Sequence, residues 1–434
     1  MLLLLLGQAS APLAAGALPA AAAQRRWDPV VVATGQLGLP GVRDDRRVDH
    51  YRLYRASSPG FVPIPYQFDE RDEEGDLVFD SSKPDWRFDD KDELVFMARD
   101  SGEQAGPGER PPGCDHLVEI QVLDPEEGRL GSVYLAHYAG LAPRRSPRRY
   151  VRYDPKSRRV HTPFYSIAYR PHSANFASFH ILPAAGGSGV NLIRRIRVRI
   201  EPTFFVLLTT WSPVFTGESL SVRLAGVRNG PVRVVRRLRQ HLDLGRFFPD
   251  PPAGTTYTTY YASYFETPTV FSVPWLVLKA LRGFRFTGAT DFADTAGDLR
   301  YWDAANPCGL LLDGDHPPVV TDRDHAWYVV SGTDGTLMHV FQIPEEWRRW
   351  GIARGTVLEE DGAALGLGEN GSAPGPPRRA VGYSLLHMTQ LRHPGRYHMK
   401  MDFFVLPGPY RPGDEAGPLA LVERPLRVEV RHLF

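Results

Sequence analysis

Apolar and polar residues alternate with a period of two in several separate segments of the chain. The clearest are residues 117–122, 195–200, 397–405 and 426–431, where Val, Ile, Leu, Tyr, Phe or Met takes every second position. Successive side chains of a β-strand point to opposite faces, so each segment predicts a strand with one buried face.

Two turn-forming dipeptides lie between pairs of strand-like runs. Asn229-Gly230 follows residues 219–227, and Asp334-Gly335 follows residues 326–331. Both dipeptides favour type I′ turns, which need positive φ at both central residues, so each predicts a hairpin. Helical periodicity is scarce, being suggested only at residues 273–282, where Pro274 interrupts it. Parallel strands need crossover helices, so the pattern predicts an all-β chain of antiparallel sheets.

The length of 434 residues exceeds the size at which a single hydrophobic core usually stops growing. Two domains are therefore expected. Pro143 and Pro147 interrupt a cluster of arginines without periodic pattern, which places the boundary near residues 141–149. We predict an N-terminal β-sandwich over residues 24–145 and a larger C-terminal antiparallel domain over residues 146–434.

Residues 1–23 form a Leu/Ala-rich apolar run that ends in the small residues Ala21, Ala22 and Ala23 before Gln24. This is typical of a cleaved signal peptide and predicts a secreted or periplasmic protein. The basic residues that normally precede such a run are missing, so a membrane anchor is the alternative. The best later apolar stretch, residues 202–211, is too short to span a bilayer, so no integral span is expected after cleavage.

Charge, cysteine content and missing motifs narrow the function classes. The net charge of +1 gives no basic excess for nucleic acid, so no nucleic-acid partner is expected. Cys114 and Cys308 lie outside haem and zinc motifs, and either one disulfide or two buried thiols fits an exported chain. G-x-S-x-G, P-loop and dinucleotide motifs are missing, which argues against serine hydrolases, NTPases and nicotinamide enzymes.

The N-terminal part carries a resemblance to known proteins. It reads VPIPYQFDE at residues 62–70, DEEGD at 72–76 and DDKDELVFMA at 89–98. This pattern resembles the N-terminal β-domains of secreted proteins from polysaccharide-degradation loci. In those proteins a β-supersandwich similar to galactose mutarotase follows, and one such family contains a dehydratase acting on ulvan oligosaccharides. The resemblance implies a C-terminal β-supersandwich and a polysaccharide partner. GPVR at residues 230–233 is a shorter match, and no catalytic motif is carried over.

Acidic residues crowd two of these segments. Ca²⁺ takes six to eight oxygen ligands from such turns, and Asp72, Asp76, Asp90 and Asp92 would be its ligands in a structural site. Solvated acidic turns without metal are the alternative, because neither segment fits the EF-hand pattern.

Two segments have the residue types of a sugar site. Tyr257 and Tyr261 belong to an aromatic cluster at residues 257–265, and their rings suit stacking on a sugar, although alternation sends part of the cluster into the core. Residues 165–180 could supply a base, a charge stabiliser and an acid for β-elimination. The catalytic candidates there are Tyr169, His172 and His180, with Arg170 and Asn175 as substrate contacts. A polar loop between strands explains the same residues.

Two rows of arginines and one loop of Asp and His residues are further candidates for a binding or catalytic site. Arg197 lies in the row at 195, 197 and 199, and Arg237 in the row at 233, 237 and 239. Should their strands be neighbours, an anion-binding face results; solvent-facing arginines of a GC-rich genome are the alternative. The loop could bind a metal or supply an acid–base pair, although turn-forming aspartates explain it as well. Its residues are Asp313, Asp315, His316, Asp322, Asp324 and His325.

These observations lead to one hypothesis and one alternative. The hypothesis is an exported protein that binds or processes an acidic polysaccharide or oligosaccharide, by lyase or dehydratase chemistry in the C-terminal domain where it acts as an enzyme. The alternative is a non-catalytic envelope or extracellular protein whose sandwiches mediate protein contacts. The sequence predicts no oligomeric state.

Overall fold

The computed structural model describes residues 25–38, 47–58, 60–80, 87, 89–171, 173, 175–242, 253–293, 298–312, 319–320, 324–359 and 379–433. Its strands are β1 (Pro29–Ala33), β2 (Tyr51–Ala56), β3 (Phe61–Pro63), β4 (Tyr66–Asp69), β5 (Glu93–Met97), β6 (His116–Asp124), β7 (Gly128–His137), β8 (Arg152–Asp154), β9 (Arg159–His161), β10 (Tyr165–Tyr169), β11 (Phe176–Ile181), β12 (Ile193–Val206), β13 (Thr209–Trp211), β14 (Phe215–Thr216), β15 (Leu220–Asn229), β16 (Val234–Leu242), β17 (Ala253–Tyr260), β18 (Tyr264–Val273), β19 (Leu281–Phe292), β20 (Leu299–Trp302), β21 (Leu310–Leu311), β22 (Val319–Val320), β23 (Trp327–Gly332), β24 (Gly335–Gln342), β25 (Ala353–Glu359), β26 (Ala380–Leu386), β27 (Gly395–Leu406) and β28 (Arg427–His432). Its helices are α1 (Trp275–Ala280), α2 (Glu345–Arg349) and α3 (Ala416–Glu423). All strand pairs are antiparallel, which confirms the all-β prediction.

The N-terminal sandwich has one small and one larger sheet. The small sheet has the order β1-β5-β4, and the larger has the order β28-β6-β7-β2-β3. Alternate residues of both sheets meet in a single core, to which Val30 and Phe96 contribute from the small sheet and Leu53, Ile120 and Val133 from the larger. Burial of these apolar faces is what holds the two layers together.

The last strand departs from the predicted domain boundaries. The prediction assigned all of residues 146–434 to the C-terminal domain, but β28 pairs with β6 of the N-terminal sandwich. Val428 and Val430 pack against its core. The alternation at 426–431 correctly predicted a strand but carried no information about its partner, since hydrophobic period sets the buried face and not the neighbour.

Three sheets form the C-terminal part. A nine-stranded sheet has the order β15-β16-β17-β18-β27-β24-β23-β20-β21. The other two are a seven-stranded sheet, β13-β12-β19-β26-β25-β22 with β14 on β12, and a four-stranded sheet, β11-β10-β9-β8. One core joins all three sheets. The ring centres of Phe179 in the four-stranded sheet and Phe265 in the nine-stranded sheet are 6.2 Å apart. Those of Tyr383 in the seven-stranded sheet and Tyr328 in the nine-stranded sheet are 4.9 Å apart.

The nine-stranded sheet therefore has an inner face on this core and an outer face turned away from it. On β16, Val234 belongs to the core and Arg236 lies over the core residue Tyr169, while Val235 and Arg237 contact residues of the N-terminal part instead. Odd-numbered residues of β16 thus lie on the outer face, as period-two alternation requires.

Both predicted hairpins form, with turns that differ from the prediction. Asn229 pairs with Val234, so the first turn comprises residues 230–233 and lacks positive φ at Asn229 or Gly230. In the second, Gly332 pairs with Gly335, so Thr333 and Asp334 form the turn and Gly335 opens β24 with φ of +126°. Pro231 explains the first difference, because its ring fixes φ near −65° and the N–H is lost.

The short helices and the two cysteines bear on three further predictions. The suggested helix at 273–282 forms as α1, while α2 and α3 were not predicted. Both cysteines are free thiols, so no disulfide joins them; Cys114 is buried as the alternative expected, whereas Cys308 is exposed. Among the described residues, the helices are too short or too polar to cross a membrane.

Candidate functional site

A buried ion network joins the two halves of the chain through residues of the N-terminal motif. Asp69 is fully buried, and its carboxylate accepts hydrogen bonds from Nε of Arg228 (3.0 Å) and Nε of Arg233 (2.7 Å). Arg233 also donates to Glu93, and the side-chain amide of Gln67 donates to Asp69 at 2.7 and 2.8 Å. We call Gln67, Asp69, Glu93, Arg228 and Arg233 the interdomain network.

The charges of this network set its protonation state. Burial tends to raise the pKa of Asp69, but the guanidinium groups of Arg233 and Arg228 outweigh burial and hold that pKa below its usual value. Asp69 therefore stays ionised, as a carboxylate between two guanidinium groups should.

Two of the segments that carry the resemblance, residues 62–70 and 230–233, contact each other here. Oε1 of Gln67 accepts hydrogen bonds from the backbone N–H groups of Val232 (3.0 Å) and Arg233 (2.9 Å). A Cβ atom at Gly230 would lie 2.0 Å from the same Oε1, so the close approach requires glycine. Residues 62–70 and 230–233 thus serve to dock the two parts of the chain.

The predicted catalytic tyrosine lies in the C-terminal core. The hydroxyl of Tyr169 is hydrogen-bonded to the hydroxyl of Tyr260, and the guanidinium carbon of Arg236 lies 3.6 Å from the centre of its ring. Tyr165, on the same strand, donates to two backbone carbonyl groups at 2.8 and 2.9 Å. Burial raises the pKa of both Tyr165 and Tyr169, so neither is disposed to act as a base.

His180 lies on the other face of the same sheet. The register pairs Tyr169 with Phe176, and both side chains lie in the core. His180 pairs with Ser166, which lies three residues before Tyr169 on β10, so the side chains of Ser166 and His180 lie on the opposite face. Nδ1 of His180 lies 3.0 Å from the carbonyl oxygen of Gly189. The structure therefore does not bring the side chains of Tyr169 and His180 together.

The remaining candidates of this segment lie beyond the strand ends. Arg170 is exposed and Asn175 is half-buried, and the N–H of Arg170 donates to the carbonyl of Asn175 at 3.2 Å. His172 lies outside the described residues.

The four predicted calcium ligands are engaged in turns. Asp72 accepts the backbone N–H of Asp76 at 2.7 Å, and Asp76 accepts a tyrosine hydroxyl at 3.0 Å. Asp92 is buried and accepts two backbone N–H groups at 2.7 and 3.0 Å, while Asp90 is exposed. Within the described ranges, groups of three His, Cys, Asp or Glu side chains able to hold a metal are not found. Calcium binding stays a prediction.

The Asp/His loop is described only at its end. Asp324 forms a bidentate pair with Arg354 at 2.7 and 2.6 Å, and Nδ1 of His325 lies 3.7 Å from buried Asp303. Asp313, Asp315, His316 and Asp322 lie outside the described residues.

The two predicted arginine rows lie in different sheets. Arg197 belongs to β12 of the seven-stranded sheet, and its Nε lies 4.0 Å from Oδ2 of Asp291. Arg237 belongs to β16 of the nine-stranded sheet, and its guanidinium carbon lies 4.5 Å from the centre of the Phe79 ring. The single anion-binding face expected from neighbouring rows therefore does not form.

The two predicted sugar-contacting tyrosines also separate. Tyr261 is buried, stacks on Tyr264 at 4.7 Å, and has its pKa raised to about 12 by burial. Tyr257 is half-buried on the outer face, where it pairs with Arg237 and its hydroxyl donates to Asp76. Tyr257 and Arg237 thus share one face, and Tyr261 belongs to the packing of α3 against the sheet.

The outer face carries a cleft next to Tyr257 and Arg237. It has a volume of about 460 Å³ and lies across β15, β16, β17, β18 and β27. We call it the arginine cleft, and its lining residues are Ser221, Arg223, Arg239, Gln240, His241, Ala253, Gly254, Thr255, Val270, Phe271, Ser272 and Arg396. Arg239 lies two residues after Arg237 on β16, and its partner Thr255 lies two residues before Tyr257 on the antiparallel β17.

The cleft concentrates positive charge. Arg223 pairs directly with Arg239 across β15 and β16, and Arg396 pairs with Ser272 across β27 and β18. Carboxylates are missing from its described lining, and the side chains of the three arginines make no hydrogen bond or ion pair within the described residues. Like charges directly opposite each other in a sheet are unfavourable, so this pair favours a bound anion.

Part of the arginine cleft could be predicted from the sequence. The predicted hairpin already made the strands of Arg223 and Arg239 neighbours, and Arg239 belonged to a predicted row. Arg396 comes from β27, whose place beside β18 depends on a pairing between distant segments, and alternation alone does not encode that pairing.

Two solved structures align with this chain at low sequence identity. No protein-family model matches the chain, and no curated protein sequence matches it. An α-mannosidase from Enterococcus faecalis V583 aligns over 96% of this chain and 45% of its own, with 11% identity and a TM-score of 0.47. A galactose mutarotase related enzyme from Lactobacillus acidophilus aligns over 56% of this chain and 95% of its own, with 7% identity and a TM-score of 0.35. The chain spans less than half the length of the mannosidase, and neither similarity assigns an activity to it.

Proposed function

We propose that this protein binds an acidic oligosaccharide or polysaccharide in the arginine cleft, outside the cytoplasm as residues 1–23 lead us to expect. The observation that supports the proposal is the trio Arg223, Arg239 and Arg396, which lines one concavity without carboxylates among its described neighbours. A guanidinium group matches the geometry of a carboxylate or sulfate and binds it bidentately.

The neighbouring groups suit a sugar. Ser221, Thr255 and Ser272 offer hydroxyl groups beside the arginines, and Val270 supplies an apolar surface. Binding sites for small ligands combine such apolar walls with a few convergent polar groups. An acidic sugar unit presents matching parts: a charged group, hydroxyls and an apolar C–H face.

Titration calorimetry with oligogalacturonate, a sulfated oligosaccharide and a neutral malto-oligosaccharide tests this proposal. We expect the acidic ligands to bind and the neutral one not to. Arg223→Gln and Arg239→Gln should each weaken binding by about tenfold or more, because a hydrogen bond to a charged group contributes about 1.5–3 kcal/mol. Binding should also weaken with added salt.

The matched control is Arg427→Gln, the same change at an exposed arginine of β28. It should leave the affinity unchanged. Equal binding of the neutral sugar would exclude a site specific for acidic sugars, and equal affinity in the cleft variants and the control would exclude the cleft as the site.

Binding without turnover is the activity that the geometry supports best. β-Elimination needs a base, an acid and a charge stabiliser in one place, and Tyr169 and His180 lie on opposite faces of their sheet. Incubation with a polyuronate, followed by ultraviolet absorbance of unsaturated products, should show no rise. A rise would instead support the lyase hypothesis drawn from the sequence.

A further inference from the structure

One end of the C-terminal part exposes large apolar side chains on two adjacent elements. The β12–β13 hairpin and α1 contribute to one small cluster, which contains Phe204 and Val277. Around it, five side chains project into solvent, and we call them the apolar tip. They are Phe205 (43% exposed), Leu207 (80%), Leu208 (90%), Trp275 (59%) and Leu276 (46%).

The backbone at this tip is unusual for leucine. Val206 pairs with Thr209, so Leu207 and Leu208 form a two-residue turn, and both have positive φ, +50° and +69°. Such a turn favours Asn-Gly, because a side chain with a Cβ is strained in the left-handed region. Leucine here is therefore unfavourable both in conformation and in exposure, which indicates that the exposed apolar surface has a function.

Cationic side chains surround the tip. Nζ of Lys279 lies 4.7 Å from the centre of the Trp275 ring, and the guanidinium carbon of Arg282 lies 5.9 Å from the Phe205 ring. Arg285 is 71% exposed at its side chain and approaches Glu201 only at 3.9 Å. This order of residues matches the layers of a lipid surface. The leucines at the apex suit its apolar layer, the tryptophan beside them suits the interface, and the lysine and arginines behind them suit anionic headgroups.

We propose that the apolar tip docks on the surface of a membrane that contains anionic phospholipid, inserting Leu207 and Leu208 shallowly between the headgroups. Shape favours lipid over a protein partner. A narrow hairpin tip and a short helix form a convex surface of five side chains, while stable protein interfaces bury about 1,200–2,000 Å² in total and need a complementary face. Lipid adapts to a convex surface.

The proposal is independent of sugar binding in the arginine cleft. Sedimentation of the full chain with phosphatidylcholine vesicles, with and without phosphatidylglycerol, tests it. The protein should sediment with the vesicles that contain phosphatidylglycerol and bind pure phosphatidylcholine more weakly. Added salt should weaken the association, because part of it is electrostatic.

Leu207→Asn combined with Leu208→Gly is the decisive variant. It replaces both leucines by the residues that a turn of this type favours, so the melting temperature should stay the same or rise. Vesicle binding should fall by about tenfold or more, because two apolar side chains no longer insert. Leu141→Asn, at an exposed leucine of the linker between the two domains, is the matched control and should bind as the unmodified chain does.

Three outcomes would overturn the proposal. The unmodified chain could fail to sediment with either vesicle, or the double variant could bind as tightly as the control. Alternatively, light scattering could show that the unmodified chain is a dimer and the double variant a monomer, which would make the tip a self-association surface.

Discussion

Replacing Asp69 by asparagine should lower the free energy of unfolding by about 3–5 kcal/mol, because it leaves the buried guanidinium group of Arg233 and the half-buried one of Arg228 without their shared carboxylate. Chemical denaturation monitored by tryptophan fluorescence measures this loss. The matched control is Asp49→Asn, which breaks a pair with Arg47 whose side chains are 56% exposed and should change stability by less than about 1 kcal/mol.

The same variant should alter the response to acid. The pKa of Asp69 is lower in the folded than in the unfolded chain, so its contribution to stability is present above about pH 4 and is lost as the pH falls through the folded value. Asp69→Asn should therefore show a shallower loss of stability on acidification than the unmodified chain. Equal stability of the two chains at neutral pH would contradict a role for the interdomain network.

Replacing Trp347 by alanine should cost about 3–5 kcal/mol, since this side chain is fully buried and its removal leaves a large cavity. Its ring packs on Phe271 at 5.8 Å and on Tyr397 at 5.2 Å, which holds α2 against the nine-stranded sheet. Thermal and denaturant unfolding should both show the loss.

Trp275→Ala provides the comparison, because this tryptophan lies on a similarly short helix but is 59% exposed. Its replacement should change stability by no more than about 1 kcal/mol. Similar losses in the two variants would show that the apolar tip is part of the folded core and would also weaken the case for membrane docking.

Local pattern predicted the strands well and their arrangement poorly. Alternation at 195–200 and 397–405 correctly marked strands, and each turn dipeptide lay at a real hairpin. The expected single buried face is not seen, because residues 195–200 are all half-buried and residues 402–405 are all buried. Sheet neighbours depend instead on which distant segments pair. The sequence left open whether the strands of Arg197 and Arg237 were neighbours, and they lie in different sheets.

Residue type was a weak guide to the candidate site for the same reason. Tyr169 and His180 had suitable chemistry, but the register of β10 and β11 turns them to opposite sides. Asp69 and Gln67 belonged to the segment with the resemblance, yet their role emerges only where the turn at 230–233 meets them. Arg396 joins the cleft from a strand far away in sequence.

The return of β28 to the first sheet has a practical consequence for dividing this protein. A chain truncated after residue 145 would lack β28, leaving the N–H and C=O groups along one side of β6 unpaired. An open edge of that kind recruits other strands, so such a fragment should aggregate, and trimming of the carboxyl-terminal tail by a protease should have the same effect. Supplying residues 427–432 as a separate peptide, or fusing them to the fragment, should restore its solubility.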